Sequence, residues 1–131
     1  MCGPAEKKMV FLQAPTGEVF PISHAAVLLA KSIPDILHIC GIESVAEFGS
    51  EPIPVQKGVT GKSLELSIEW CEHYKDIPAP DLGVITPWDA AFFYQNRQHL
   101  KALFLAANIL FIERLESVEE TVRQMGFLDK A

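Results

Sequence analysis

"KGVTGKSLELSIEWCEHYKDIPAP", residues 57–80, supports two competing readings of this 131-residue chain. Gly61-Lys62-Ser63 is the closing half of the phosphate-binding pattern Gly-x-x-x-x-Gly-Lys-Ser/Thr, and a strand-like "PIPVQ" precedes it. That loop needs its first glycine because backbone N–H groups must curl round a phosphate with no Cβ in the way, and the position holds Gln56. The preceding strand is short and marked by Pro52 and Pro54, whereas a phosphate loop hangs from a buried parallel strand. The acid-ended strand such a site also uses could only be "NILFIE", closing on Glu113. There, Leu100, Leu103, Phe104, Ala107, Leu110 and Phe111 recur with the period of a helix. Residues 60–63 are therefore read as a helix start, with Thr60 as N-cap. Leu64, Ile68 and Cys71 line one face of that helix, and Leu66, Trp70 and Tyr74 its neighbour.

Working outward toward the amino terminus, "KMVFLQAPTGEVFPI" reads as a hairpin. Apolar Met9 to Leu12 and Val19 to Ile22 flank a turn holding Pro15 and Gly17. Ser23 caps an expected helix "HAAVLLAK", and "SIPDILHICGI" follows, with Pro34 near a helix start and Gly41 as a stop. Ile53 to Val55 is expected as a short edge strand. Toward the carboxyl end, "KDIPAPDLGVITP" is irregular, because its three prolines fit no helix interior. "WDAAFFYQN" starts a helix after Pro87. "RQHLKALFLAANILF" is the most apolar helix, and "IERLESVEETVRQMG" is an amphipathic one closing on Gly126.

A chain of this length fits one domain with its own hydrophobic core, and 49% hydrophobic with 21% charged residues is a globular balance. The net charge of −6 argues against nucleic acid and against an anionic membrane surface as partners. No apolar run has signal-peptide or membrane-span length, and three cysteines, Cys2, Cys40 and Cys71, fit free thiols in a reducing compartment. Cytoplasmic and/or nuclear localisation is the expectation.

The chemical constellations are thin. His38-Ile39-Cys40 and Cys71-Glu72-His73 contain the atoms of a zinc site, but residues two apart on a helix point roughly 200° apart. A nucleophilic set of Cys71, His99 and Asp89 has no local sequence that brings it together, and Cys71 falls on the apolar stripe. Glu119 and Glu120 read as helix-surface acids. No catalytic residue, metal site or cofactor is assigned. What stands out instead is apolar surplus: "FLAANILFI" is apolar nearly all round, and one face of the last helices lacks an obvious cover.

Several segments together resemble one family. "SIEWCEHYKDIPAP" resembles the Trp-Cys-x-His-His-Lys-Asp-x-Pro-x-Pro segment of the Skp family, adaptor subunits of SCF ubiquitin ligases. "LQAPTGEVFPI" is similar to the family's opening hairpin, and "IPVQKGVTGKSLELSIEW" to its third strand and following helix. "TPWDAAFF" is similar to Pro-x-Trp-Asp-x-x-Phe, and "LFLAANIL" to Leu-Ala-Ala-Asn-Tyr-Leu. The matches run collinearly from about Val10 to Val122.

The resemblance implies an α/β fold of the BTB/POZ type: a small three-stranded sheet packed with helices, plus C-terminal helices. It implies a single Skp-like domain over 1–131, with a POZ part at about 8–75, a linker at about 76–87 and a dimerisation-type helical part at about 88–126. No catalysis is implied. The expected function is a non-catalytic adaptor of a cullin-RING ligase, bridging a cullin to F-box substrate receptors in ubiquitin-dependent degradation. The alternatives are an Elongin C-like adaptor or a nucleotide-binding protein using Gly61-Lys62-Ser63.

By the resemblance, Asn108 and Ile109 lie on the cullin surface, with Ile109 in the place of the family's tyrosine. Leu100, Leu103, Leu115, Val118 and Val122 belong to the F-box grip. Glu116 replaces an apolar residue there, and Phe111 an aspartate. This sequence closes at "MGFLDKA" where the family continues through two more helices, so a weakened F-box contact is expected.

Overall fold

The computed structural model describes residues 9–33, 52–77 and 83–126. The opening hairpin forms as the two apolar runs and the turn between them suggest. Strand β1, Met9–Gln13, pairs antiparallel with β2, Val19–Ser23, in the register Met9 to Ser23 through Gln13 to Val19. Gly17 has φ +106°, a conformation open to a residue without Cβ, and Ala14 closes the turn by donating its N–H to the Glu18 carbonyl at 2.8 Å. Strand β3 is only Ile53–Pro54 and lies parallel to β1, giving the order β2-β1-β3. Pro54 has no N–H to give, which an edge position tolerates, and the ladder continues through the N–H of Val55 to the Gln13 carbonyl at 3.0 Å.

Ser23 does cap a helix, accepting from the Ala26 N–H at 3.2 Å, but α1 covers only His24–Val27. Beyond it the N–H groups of Leu29, Ala30 and Ile33 bond three residues back instead of four, so the expected helix "HAAVLLAK" tightens into turns. The expectation for the rest of "SIPDILHICGI", from Pro34 on, lies outside the described residues.

Helix α2, Gly61–Tyr74, is the axis of the domain. Its start is a reciprocal cap: Ser63 N–H bonds Thr60 Oγ1 at 3.1 Å, and Thr60 N–H bonds Ser63 Oγ at 2.9 Å. Leu64, Leu66, Trp70, Cys71 and Tyr74 are all buried, because α2 is covered on more than one side, by β2, α1 and the later helices. Ser67, forced into the same interior, satisfies its hydroxyl on the Ser63 carbonyl at 2.7 Å.

Helix α3, Pro87–Gln95, begins with the same device. Thr86 and Asp89 cap each other, and Pro87 fills the first turn where its missing N–H costs nothing. A 3-10 turn at Arg97–His99 then leads into α4, Leu100–Leu110. The last amphipathic run is two short helices, α5 at Glu113–Glu116 and α6 at Glu119–Gln124, where one was expected. The break falls at Ser117. Its hydroxyl donates back to the Arg114 carbonyl at 2.7 Å and accepts the Gly83 N–H at 3.1 Å, so a residue of the α2–α3 connection ties into the helix ladder.

The uncovered apolar face does not materialise on the scale expected. Leu100, Leu103, Leu110, Ile112, Leu115 and Val122 are buried in the chain's own core. In the region from α4 to α6, the large apolar side chains left at the surface are Leu105, Phe111 and Met125.

Candidate partner-docking surface

The residues assigned by the resemblance fall on two parts of the helical half, α4 and the pair α5 and α6, and an aromatic cluster joins α2 to α3. Trp70 and Tyr74 on α2 pack with ring centroids 4.5 Å apart, and Trp88 of α3 stacks on His73 at 3.7 Å. Tyr74 reaches Thr86 through its hydroxyl at 2.7 Å, and burial pushes its pKa up to about 12. The Arg114 guanidinium lies 4.2 Å from the Tyr74 ring centre and donates to the Ile77 carbonyl at 3.2 Å. The connection between α2 and α3 is thus held from α5 and its flank at both described ends, through Ile77 and Gly83.

The first face is the outer side of α4. Lys101, Leu105 and Asn108 follow one another at spacings of four and three, so they share an exposed stripe. Ile109, beside Asn108, is half-buried and packs on the core. It lies over Gly58, where an added Cβ would meet Ile109 Cδ1 at 2.8 Å. Gly58 has φ +100°, so a glycine here answers both a backbone turn and a close approach.

Helix α4 stops at Phe111, whose φ of 57° and ψ of 50° place it in the left-handed region. Among the described residues Phe111 is the non-glycine residue with positive φ. Its backbone is held from two sides: Ile112 N–H bonds the Ala107 carbonyl at 2.9 Å, and Phe111 O accepts from Lys31 N–H at 3.3 Å. The side chain is 51% exposed, as is Leu105. Nothing in the local pattern marked these two residues as exposed, since each belongs to an apolar run.

The second face is carried by α5 and α6. Of the residues the resemblance assigns to the F-box grip, Leu115, Val118 and Val122 lie on or beside these helices and Leu100 and Leu103 on α4, and all five are buried in the chain's own core rather than open to a partner. Glu116 lies half-buried among them in sequence. Its pKa is raised, by burial first and then by Glu113 and Glu119. Glu119 and Glu120 are engaged with Arg123, at 3.2 and 2.9 Å.

The chemical alternatives meet physical obstacles. The Ser63 hydroxyl is committed to the cap, Lys62 lies 3.5 Å from Glu65, and the Glu18 carboxylate already packs against Gly61. An incoming phosphate would meet that carboxylate rather than an open nest. The Cys71 thiol is pushed up to about 12, by burial and then by Glu72, which leaves it protonated and poorly nucleophilic at neutral pH. His73 is held flat against Trp88, and Asp89 caps α3. Among the described residues no group of three or more His, Cys, Asp or Glu side chains is arranged to hold a metal. His38, Cys40 and Cys2 lie outside them. None of the described helices is long and apolar enough to cross a membrane.

A bond invisible to local sequence reading ties the end of β2 to α2. Glu72 accepts from the Ser23 N–H at 2.8 Å and its hydroxyl at 3.0 Å, while Lys75 sits on the same carboxylate at 2.9 Å. Burial opposes ionisation of Glu72, but the bonds from Lys75 and Ser23 outweigh it and lower its pKa.

This is a small mixed α/β structure, with a three-stranded sheet and helices packed against α2. No family model matches the sequence. Individual proteins do. It is 31% identical to the SCF ubiquitin ligase complex protein SKP1a of Dictyostelium discoideum, over 89% of this chain and 74% of that one. It is 29% identical to a Skp1-related protein of Caenorhabditis elegans, over 92% and 74%. The E3 ubiquitin ligase complex SCF subunit sconC of Aspergillus flavus matches at 34% over 59% of this chain and 52% of its own. The chain belongs to the Skp family, as a divergent member.

Proposed function

We propose that this protein is a non-catalytic adaptor of an SCF-type ubiquitin ligase, joining a cullin to F-box substrate receptors and acting in the cytoplasm and/or nucleus. The observation that carries the reading is the family match over most of the chain, with relatives named as SCF subunits. The outer face of α4 supports the cullin side: Asn108 is exposed beside Ile109, with apolar Leu105 one turn away. For the F-box side, the seat is formed by the surfaces of α4 to α6, and Leu100, Leu103, Leu115, Val118 and Val122 hold those helices together from beneath. Binding energy at such a contact comes from a few anchoring side chains surrounded by near-neutral ones.

The test is co-purification with a cullin. Asn108→Lys places a charge in the centre of a contact that excludes water, where truncating or unpairing a charge costs about 2–5 kcal/mol. Recovery of cullin should fall tenfold or more while the thermal midpoint of the free chain holds. Undiminished recovery, with the variant folded, would remove the α4 face from the reading.

A further inference from the structure

Resting on that reading and deepening it, we infer that the cullin surface docking on α4 carries carboxylates at its rim, and that Lys57, Arg97 and Lys101 draw it in. The chain as a whole is acidic, with 17 Asp and Glu against 11 Lys and Arg. The segments that build this face depart from that balance. Residues 90–112, which include α4, and residues 52–60, which include β3 and the loop before α2, contain no Asp or Glu. Their Lys and Arg residues are Lys57, Arg97 and Lys101, and all three are exposed.

Tertiary structure brings the two segments together. Lys57 adjoins Gly58, which lies against Ile109 of α4. Lys101 opens the exposed stripe that continues through Leu105 and Asn108, and Arg97 stands in the 3-10 turn leading into the same helix. Cations therefore border a centre of Leu105, Asn108 and Phe111, all exposed. Acids at the margins are already engaged, Glu18 with the Thr16 hydroxyl and Glu113 with Lys31 at 2.7 Å.

Two features set this border apart from an ordinary solvated surface. Arg97 is held before any partner arrives: its guanidinium lies 4.2 Å from the Tyr94 ring centre and donates to the Tyr94 carbonyl at 2.7 Å. An arginine so placed gives up little freedom on meeting a carboxylate. Lys101 sits in the first turn of α4, where the helix dipole favours an anion, and that turn holds no acid and no side-chain cap. The lysine thus opposes its own helix, a local conflict that an acidic partner resolves. Three cations in a chain of net charge −6 do not make a nucleic-acid surface.

Rim charges act chiefly on the rate of association and its salt dependence. The experiment is stopped-flow or biosensor kinetics between the full chain and the cullin that co-purifies with it, at low and high NaCl. Lys101→Glu should slow association about fivefold at roughly 50 mM salt, with the difference screened to less than about twofold at roughly 500 mM. Dissociation should change far less. The control is Lys62→Glu, which makes the same change in net charge on α2 and should leave association unaltered. Lys101→Glu should also fold at least as stably as the native chain, since it places a carboxylate in the first turn of α4; lost binding then cannot come from unfolding. The inference is overturned if Lys101→Glu associates at the native rate, if its defect persists at high salt, or if Lys62→Glu is equally slow. It is overturned too if Lys101→Glu abolishes a salt-sensitive self-association while cullin kinetics hold, which would give the face to a second copy. In each of these cases a native chain that binds cullin keeps the adaptor reading; a chain that recovers no cullin removes both.

Discussion

Gly58→Ala probes the contact that seats Ile109, and the structure separates its cost into two parts. The first part is backbone. At φ +100° an L-residue is strained whatever the space around it, by about 1–2 kcal/mol. The second part is steric. The new Cβ would stand 2.8 Å from Ile109 Cδ1, so either the side chain leaves its position or the loop at 57–59 lifts away from α4. Ile109→Val removes that one carbon, at a cost at or below the roughly 0.5–1.5 kcal/mol typical of a buried Ile→Val change, because Ile109 is only half-buried.

In the Ile109→Val background, Gly58→Ala should then cost only the backbone part. In the native background it should cost on the order of 0.5–1 kcal/mol more, the size of coupling found between residues in contact. Urea denaturation of the four proteins gives the cycle, with the coupling read from midpoints at constant m. Equal costs in both backgrounds would show that Ile109 does not sit over Gly58. A neutral Gly58→Ala would show that the loop lacks the left-handed turn. Either result would remove the geometry on which the α4 surface is drawn.

Thr60→Ala deletes the side-chain half of the α2 cap and should lower stability by about 1 kcal/mol, measured by thermal or urea unfolding. Glu116→Gln should stabilise the protein at pH 7. The folded-state pKa of Glu116 is raised, by burial and by Glu113 and Glu119, so its ionised form opposes folding and native stability recovers as pH falls through that pKa. Relief of two like-charge neighbours is worth about 0.5 kcal/mol, and the gain should vanish below the ordinary carboxylate range; a constant gain down to acid pH would contradict the electrostatic cause. In a Cys2→Ser, Cys40→Ser background, Cys71 should react with a thiol reagent at pH 8 only as fast as the chain unfolds, since burial keeps it protonated. Reaction at the rate of a free thiol would place Cys71 outside the core.

Much of the fold was legible because its signals are local. The hairpin follows from two apolar runs round a Pro-Thr-Gly turn, one major helix start from Thr60 as N-cap and the other from Pro87. The partners Ser63 and Asp89 and the cap at Thr86 were seen only in the structure. The edge character of β3 follows from its prolines. The Skp-like segments "EWCEHYKDIPAP", "PWDAAFF" and "LAANIL" belong to these same elements. For the candidate surface, the sequence pointed to Asn108 and Ile109, but it could not tell exposed Leu105 and Phe111 from the buried apolar residues beside them.

What the sequence determined by itself, then, is the order of elements in an acidic chain, a hairpin, a short strand and helices, and, by resemblance, the segments of one family in order. Where helices break, and which apolar side chains stay wet, was decided by tertiary structure. Ser117 interrupts the last helical run in company with Gly83, Arg114 reaches Ile77, and Glu72 holds Ser23, at separations of 34, 37 and 49 residues. Periodicity reports the energy of a segment against an average environment, whereas these bonds exist only once distant backbone groups are buried together and must find partners.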